Sequence, residues 1–199
     1  MKNLFTSLTV TVLSLALFSF TGIQKKEKYK VNQELSSLEW VGKKVTGKHE
    51  GKIGIKNGSI EVEDGKLIGG TLTVDMNSLE VTDIEDPKDN AKLKGHLSSD
   101  DFFGIKNHPT STFKLSKVEH KEGNNYILHG DLTIKGHTEK TEIPATVLNE
   151  DNKIAIVGET EIDRTKFEIK YGSGSFFDNL GDKAINDLFT IKFSIAASK

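Results

Sequence analysis

The 199-residue sequence predicts an all-β fold: an antiparallel barrel of eight strands with one or two short helices in its connections. Three features predict it. Apolar and polar side chains alternate with a period of two from Val31 onward, Gly, Asn and Asp mark the breaks, and only two segments interrupt the pattern. Such alternation gives one apolar and one solvated face, as in antiparallel sheet. Eight such strands bury their apolar faces and remove their sticky edges by closing into a barrel.

The runs follow one another in order. Leu38 and Trp40 share a face of the first strand. Ile53 and Ile55 mark a second run and Ile60 and Val62 a third, with Asn57-Gly58 reading as a turn between them. Ile68, Gly70, Leu72, Val74 and Met76 are spaced by two, opposite Thr71, Thr73, Asp75 and Asn77. Alternation restarts at Ser111, Phe113 and Leu115, then recurs from Tyr126 to Ile134 on even numbers. Ile143, Ala145 and Val147 follow, then Ile154, Ile156 and Ile162, and finally Phe189, Ile191, Phe193, Ile195 and Ala197. Asp64-Gly65, Lys135-Gly136 and residues 122–125 and 150–152 read as turns because Gly, Asn and Asp tolerate positive φ.

The interruptions carry the chemistry. Residues 87–99 open with Asp86-Pro87, a cap followed by proline at the first helical position, and Leu93 and Leu97 lie four apart, so a short helix is expected. Phe102-Phe103 then sits beside Asp100-Asp101, and Pro109 ends the excursion. The second interruption, 172–181, carries Phe176-Phe177 beside Asp178. Aromatic pairs in irregular segments plug a barrel end or line an opening; at least one pair is expected to line the lumen or its entrance, against the alternative of a fixed plug that is plain core.

Composition bounds the function. A formal net charge of −2 with interspersed Lys and Glu argues against a nucleic-acid partner. With no cysteine there is no disulfide, thiol catalysis or cysteine-bound zinc. Six histidines form no metal-binding spacing, and although strand pairing could join His49 to His96, no metal or cofactor is expected. Nucleophile motifs are missing and carboxylates lie scattered on the wet parity, so no enzyme is expected. Asp163-Arg164-Thr165 reads as a structural arginine pinning a corner.

Residues 1–22 read as a secretory signal peptide, with an uncleaved membrane anchor as the alternative. Lys2 precedes an apolar run of about 17 residues broken by six Ser or Thr, short of the ~20 that span a bilayer. Cleavage near Thr21-Gly22 would give a periplasmic or secreted product with a polar extension at 23–30 and a barrel domain at 31–199.

By parity Leu72, Val74, Leu132, Ile134, Ile191 and Phe193 point inward, and Trp40, Met76 and Phe113 lie on matching faces of their runs. The inward parity is almost all hydrocarbon and includes Gly42, Gly70, Gly130 and Gly158, so an unfilled lumen would accept an apolar chain. These residues, with Phe102, Phe103, Phe167, Phe176 and Phe177, are the candidate lipid-contacting set.

Several motifs together resemble the YceI-like family of bacterial periplasmic polyisoprenoid-binding proteins. They are Ser37-Leu38-Glu39-Trp40, the His96 to Phe103 stretch, Pro109-Thr110-Ser111-Thr112-Phe113 and Gly130 to Gly136 with Thr138. Ile162-Asp163-Arg164 with Phe167, and Asp182 to Asp187, complete the set. The chain departs from the commoner pattern at Lys44, where a histidine is usual. The resemblance implies an elongated lipocalin-like barrel that binds an isoprenoid or similar long-chain amphiphile without catalysis, as carrier or store. It leaves room for transient membrane contact and says nothing of oligomeric state. The competing reading is a packed barrel that contacts a membrane-bound or redox partner.

Overall fold

The computed structural model describes residues 25–150 and 152–199; the leader expected at 1–22 lies outside them. Eight antiparallel strands follow in chain order: β1 (Lys26–Lys44), β2 (Gly47–Glu63), β3 (Lys66–Val81), β4 (Thr110–His120), β5 (Asn125–Ile134), β6 (His137–Glu150), β7 (Lys153–Asp163) and β8 (Ile185–Ser198). Each pairs with its sequence neighbour, and β8 closes on β1, as in Trp40 opposite Ile191. β1 has 19 residues and β2 has 17, against the five or six common in globular sheets, so the barrel is elongated.

Strand limits differ from the sequence reading at two places. β1 begins at Lys26, so residues 26–30 of the expected polar extension pair with β2, Tyr29 opposite Ile60. Asn57-Gly58 is no turn. It lies inside β2 and pairs with Thr73 and Leu72, and a register shift falls between Ile55 and Asn57. One extra residue makes a bulge that bends the long strand, and pairing on both sides overrides the local turn preference. The turns at Asp64-Gly65 and Lys135-Gly136 form as read, all four residues at positive φ.

One helix, α1 (Pro87–Ser98), connects β3 to β4. The Asp86 carboxylate accepts from the amides of Lys88 and Asp89, and Pro87 occupies the first turn, where its missing N–H costs nothing. The strand directions put α1 with its following loop, the 135–136 turn and the β7–β8 loop at one barrel end. Both aromatic interruptions therefore fall at the α1 end, and the termini at the other.

The terminal end is packed shut. Tyr29, Val31, Val62, Ile154 and Ala197 are buried in one cluster there, with Val62 only 1% exposed. The Lys199 ammonium lies 5.3 Å from the Tyr29 ring centre, across that end.

Candidate functional site

Between the ends lies a void of about 250 Å³ walled almost entirely by hydrocarbon. An apolar cavity of ~150 Å³ already stays dry and binds benzene, so this one would hold an apolar ligand rather than water. Leu72, Val74, Phe113, Ile191 and Phe193 face it and are only half-buried although they point inward. Trp40, Met76, Leu132 and Ile134 complete the expected wall. The Trp40 indole N–H donates to the Glu80 carbonyl at 3.1 Å, which fixes the ring, and Ser111 donates to Met76 Sδ at 3.2 Å.

Inward glycines do not all supply space. A Cβ on Gly130 would lie 2.6 Å from the Phe113 ring, and one on Gly158 would lie 2.6 Å from Phe193. These two glycines seat aromatic rings from adjacent strands. Gly70 lines the void, but a Cβ there would lie 2.7 Å from the Ser59 carbonyl oxygen, so it serves close strand packing; Gly42, with nothing within 4 Å, does leave room.

The α1 end is capped by the first aromatic pair. After α1 the chain turns back on itself: Phe102 N–H donates to Ser99 O, Phe103 to Leu97 O and Ile105 to Ser98 O, each at 3.0–3.1 Å. That loop points Phe102 and Phe103 into the void. The Phe103 ring meets Phe189 edge-on at 6.3 Å, and Phe102 lies 5.2 Å from His96 and 6.0 Å from Tyr171. Met76, Leu79 and Ile105 pack around Phe103.

Arg164 anchors the other half of the cap. It is 3% exposed, and its guanidinium donates to the carbonyls of Ile169 at 2.7 Å, Tyr171 at 2.9 Å, and Ile185 and Asn186 at 3.0 Å. Its plane lies 5.7 Å from the Phe102 ring centre. Burial pushes the guanidinium pKa down from its ordinary value, against the pull of Asp187 and Asp163. Asp187 lies 3.5 Å from Arg164 and accepts from Ser175 at 2.6 Å. Burial would raise the Asp187 carboxyl, but hydrogen bonds from Ser173 and Ser175 and the charge on Arg164 hold it below the usual range. The structural reading of Arg164 holds; sequence alone could not name its acceptors, which are backbone carbonyls.

Three expected lining residues are elsewhere. Phe167 is 2% exposed, in the short 3-10 turn Arg164–Phe167, where it packs with Ile169 behind the lining residues Phe102, Leu132 and Ile134 and does not itself face the void. Phe176 and Phe177 are 50% and 51% exposed. They stand at the tip of the β7–β8 loop, because their amides both donate to Ser173 O in a tight turn that rests on Arg164 through Tyr171 and Ile185. Lining residues missed from the sequence include Leu79, Leu97 and Ile185. Leu97 carried a signal in its spacing on α1, whereas Leu79 and Ile185 sit at strand ends where parity says least.

His49 and His96 are not brought together. His49 Nδ1 lies 2.9 Å from Asp83 Oδ2, while His96 stacks edge-on against Tyr171 at 4.5 Å. Among the described residues no three His, Asp or Glu side chains converge to hold a metal ion.

Solved structures of similar fold are known. Burkholderia cenocepacia BcnA is 25% identical, with a TM-score of 0.67 over 84% of this chain and 99% of that one. A polyisoprenoid-binding domain from Saccharophagus degradans is 14% identical and shares the fold alone, with a TM-score of 0.62 over 85% of this chain and 97% of that one. Among curated proteins, the chain is 27% identical to a UPF0312 protein of Shewanella denitrificans over 59% of this chain and 62% of that protein. It is 29% identical to one of Pectobacterium atrosepticum over 40% of this chain and 37% of that protein. The chain thus aligns with less than two thirds of either curated relative's length. The YceI-like domain signature matches residues 29–197, from within β1 to within β8, so by sequence as by fold this chain belongs to the YceI-like family.

Proposed function

We propose that this protein binds a long-chain isoprenoid or similar amphiphilic lipid in its lumen, without catalysis, as a periplasmic carrier or store. The observation that carries the reading is a hydrocarbon-walled void capped at both ends by packed side chains. Such a space offers an alkyl or prenyl tail about 0.8 kcal/mol per buried methylene and offers a polar substrate nothing. The likeness of fold to a polyisoprenoid-binding domain supports the ligand class, and the signal-like residues 1–22 support export. A void of this size argues against the packed-barrel alternative.

Exposed Tyr171, Phe176 and Phe177 on one loop, with Lys170 4.9 Å over the Phe176 ring, support a transient contact with a lipid bilayer. Aromatic rings favour the interfacial layer, and lysine stems reach past them to headgroups.

The experiment is a titration of purified protein with a long-chain isoprenoid alcohol, read by thermal unfolding. Ligand at a hundredfold excess over Kd adds ~2.7 kcal/mol of stability, which for this size raises the midpoint by roughly 5–11 °C. No shift at saturating probe would sink the reading.

A further inference from the structure

The barrel wall is not uniformly stitched. β6 and β7 pair only from Thr146 opposite Val157 to Glu150 opposite Lys153, next to their connecting turn. Both strands continue toward the α1 end, β6 through residues 137–145 and β7 through 158–163. No ladder register joins these stretches. Each stays bonded on its other side, β6 to β5 up to His137 opposite Ile134, and β7 to β8 up to Asp163 opposite Leu188.

The sequence explains the gap. Continuing the register would set Pro144 opposite Glu159, and Pro144 has no N–H to give. Two rows further, Glu142 would face Glu161, both exposed, and like charges directly opposite disfavour pairing. The strands remain close at the foot of the gap, where a Cβ on Gly158 would lie 2.6 Å from Pro144 O, and the pairing does not resume above it.

The gap borders the lumen. Ile143 on β6 and Thr160 and Ile162 on β7 line the void. Beyond Ile143, the positions of β6 that share its face are Thr141, opposite Gly130, and Glu139, opposite Leu132. The lips are thus polar where the rest of the wall is hydrocarbon. The cation Lys192 already lies 3.8 Å from Glu159, and Lys140 lies 3.5 Å from Asp131. With packed side chains at both barrel ends, the seam is a stretch of lumen wall that no strand ladder closes.

We propose that the unpaired seam between β6 and β7 is a lateral portal. A lipid tail passes sideways between the strands into the lumen, and its head stays at the lip among Thr141, Thr160 and Glu139. Carboxylates at Glu139, Glu142, Glu159 and Glu161 make that lip suited to an uncharged head. The proposal rests on the lumenal-lipid reading but makes a separate kinetic claim.

The chain has no cysteine, so Glu142→Cys with Glu161→Cys can be bridged by a short bis-maleimide without background labelling. The probe is a fluorescent long-chain isoprenoid alcohol in stopped flow. Bridging is expected to slow both uptake and release about tenfold or more while leaving Kd within about twofold. A control bridge between Glu39→Cys and Lys52→Cys, paired on β1 and β2, is expected to change neither. Pro144→Val with Glu161→Lys gives a second variant, which restores the missing donor, replaces repulsion with attraction, and should also slow exchange. An isoprenyl phosphate should enter about tenfold more slowly than the alcohol, through repulsion at the lip. Unchanged rates in both seam variants, with wild-type protein binding the alcohol, would overturn the portal. Equal entry of phosphate and alcohol would remove the head from the lip. Failure of the unmodified protein to bind any probe would instead overturn the lumenal reading itself.

Discussion

Replacing Arg164 with methionine tests how the α1 end is held. The substitution keeps an unbranched, buried side chain and removes the fork. Four backbone carbonyls at 2.7–3.0 Å then lose a charged donor. Hydrogen bonds to a charged group contribute about 1.5–3 kcal/mol each. Returning the buried guanidinium to water offsets several kcal/mol of that gross loss, so the net cost resembles that of breaking a buried ion pair, about 3–5 kcal/mol. At ~2–4 °C per kcal/mol for a chain of this length, the midpoint should fall by roughly 6–20 °C. Arg164→Lys should recover only part of this, because one ammonium cannot reach carbonyls of residues 169, 171, 185 and 186 together. Far-UV circular dichroism gives the midpoint, and limited proteolysis should reveal new cuts within 172–184. A melting point within about 2 °C of wild type and an unchanged cleavage pattern would show that the guanidinium does not hold the loop.

Other outcomes follow from the same geometry. Leu72→Phe narrows the lumen and should weaken long-chain ligands more than short ones in a chain-length series; an equal loss at all lengths argues against a lumenal site. Phe102→Ala should cost about 3–5 kcal/mol as a buried truncation, whereas Phe177→Ala, at an exposed site, should stay within about 0.5 kcal/mol. Phe176→Ala with Phe177→Ala should nevertheless lower partition onto phosphatidylcholine vesicles, and undiminished partition would refute the membrane contact. Hydrogen bonds from Lys199 and then Lys25 push the Glu27 pKa down from 4.5 to about 2. Its folded pKa is therefore below the unfolded one. The contribution is present above the unfolded value and is lost as pH falls from 4.5 toward 2. A carboxyl titration by nuclear magnetic resonance should find Glu27 near 2 in wild type and raised in Lys199→Met; titration near 4.5 in wild type would contradict the pairing.

Parity made most of the barrel legible. Where a run is long and one face is buried, as from Leu128 to Ile134, a slip of one residue would invert every side chain, so the pattern must be explicit. Bulges escape such reading because they are settled by the partner strand: Asn57-Gly58 has turn chemistry, yet β3 pairs across it. The two Phe-Phe pairs look alike in sequence and end differently. Phe102-Phe103 follows a capped helix whose carbonyls fold the chain inward, while Phe176-Phe177 sits at the tip of a loop tied down only at its base. Gly130 and Gly158 read as empty space, but the rings that fill them come from neighbouring strands, beyond the reach of parity. The seam had one local sign, Pro144 within a strand; the opposition of Glu142 and Glu161 emerges only from the register.

A lumen of this kind should come out of the cell already holding a lipid. The most direct test is mass spectrometry of an organic extract from the full chain, expressed in an exporting bacterial host and purified without detergent. A long-chain isoprenoid or similar amphiphile is expected in that extract, near one per protein. An extract without any such species, from protein whose unfolding midpoint is also unmoved by added isoprenoid alcohol, would contradict the lumenal reading.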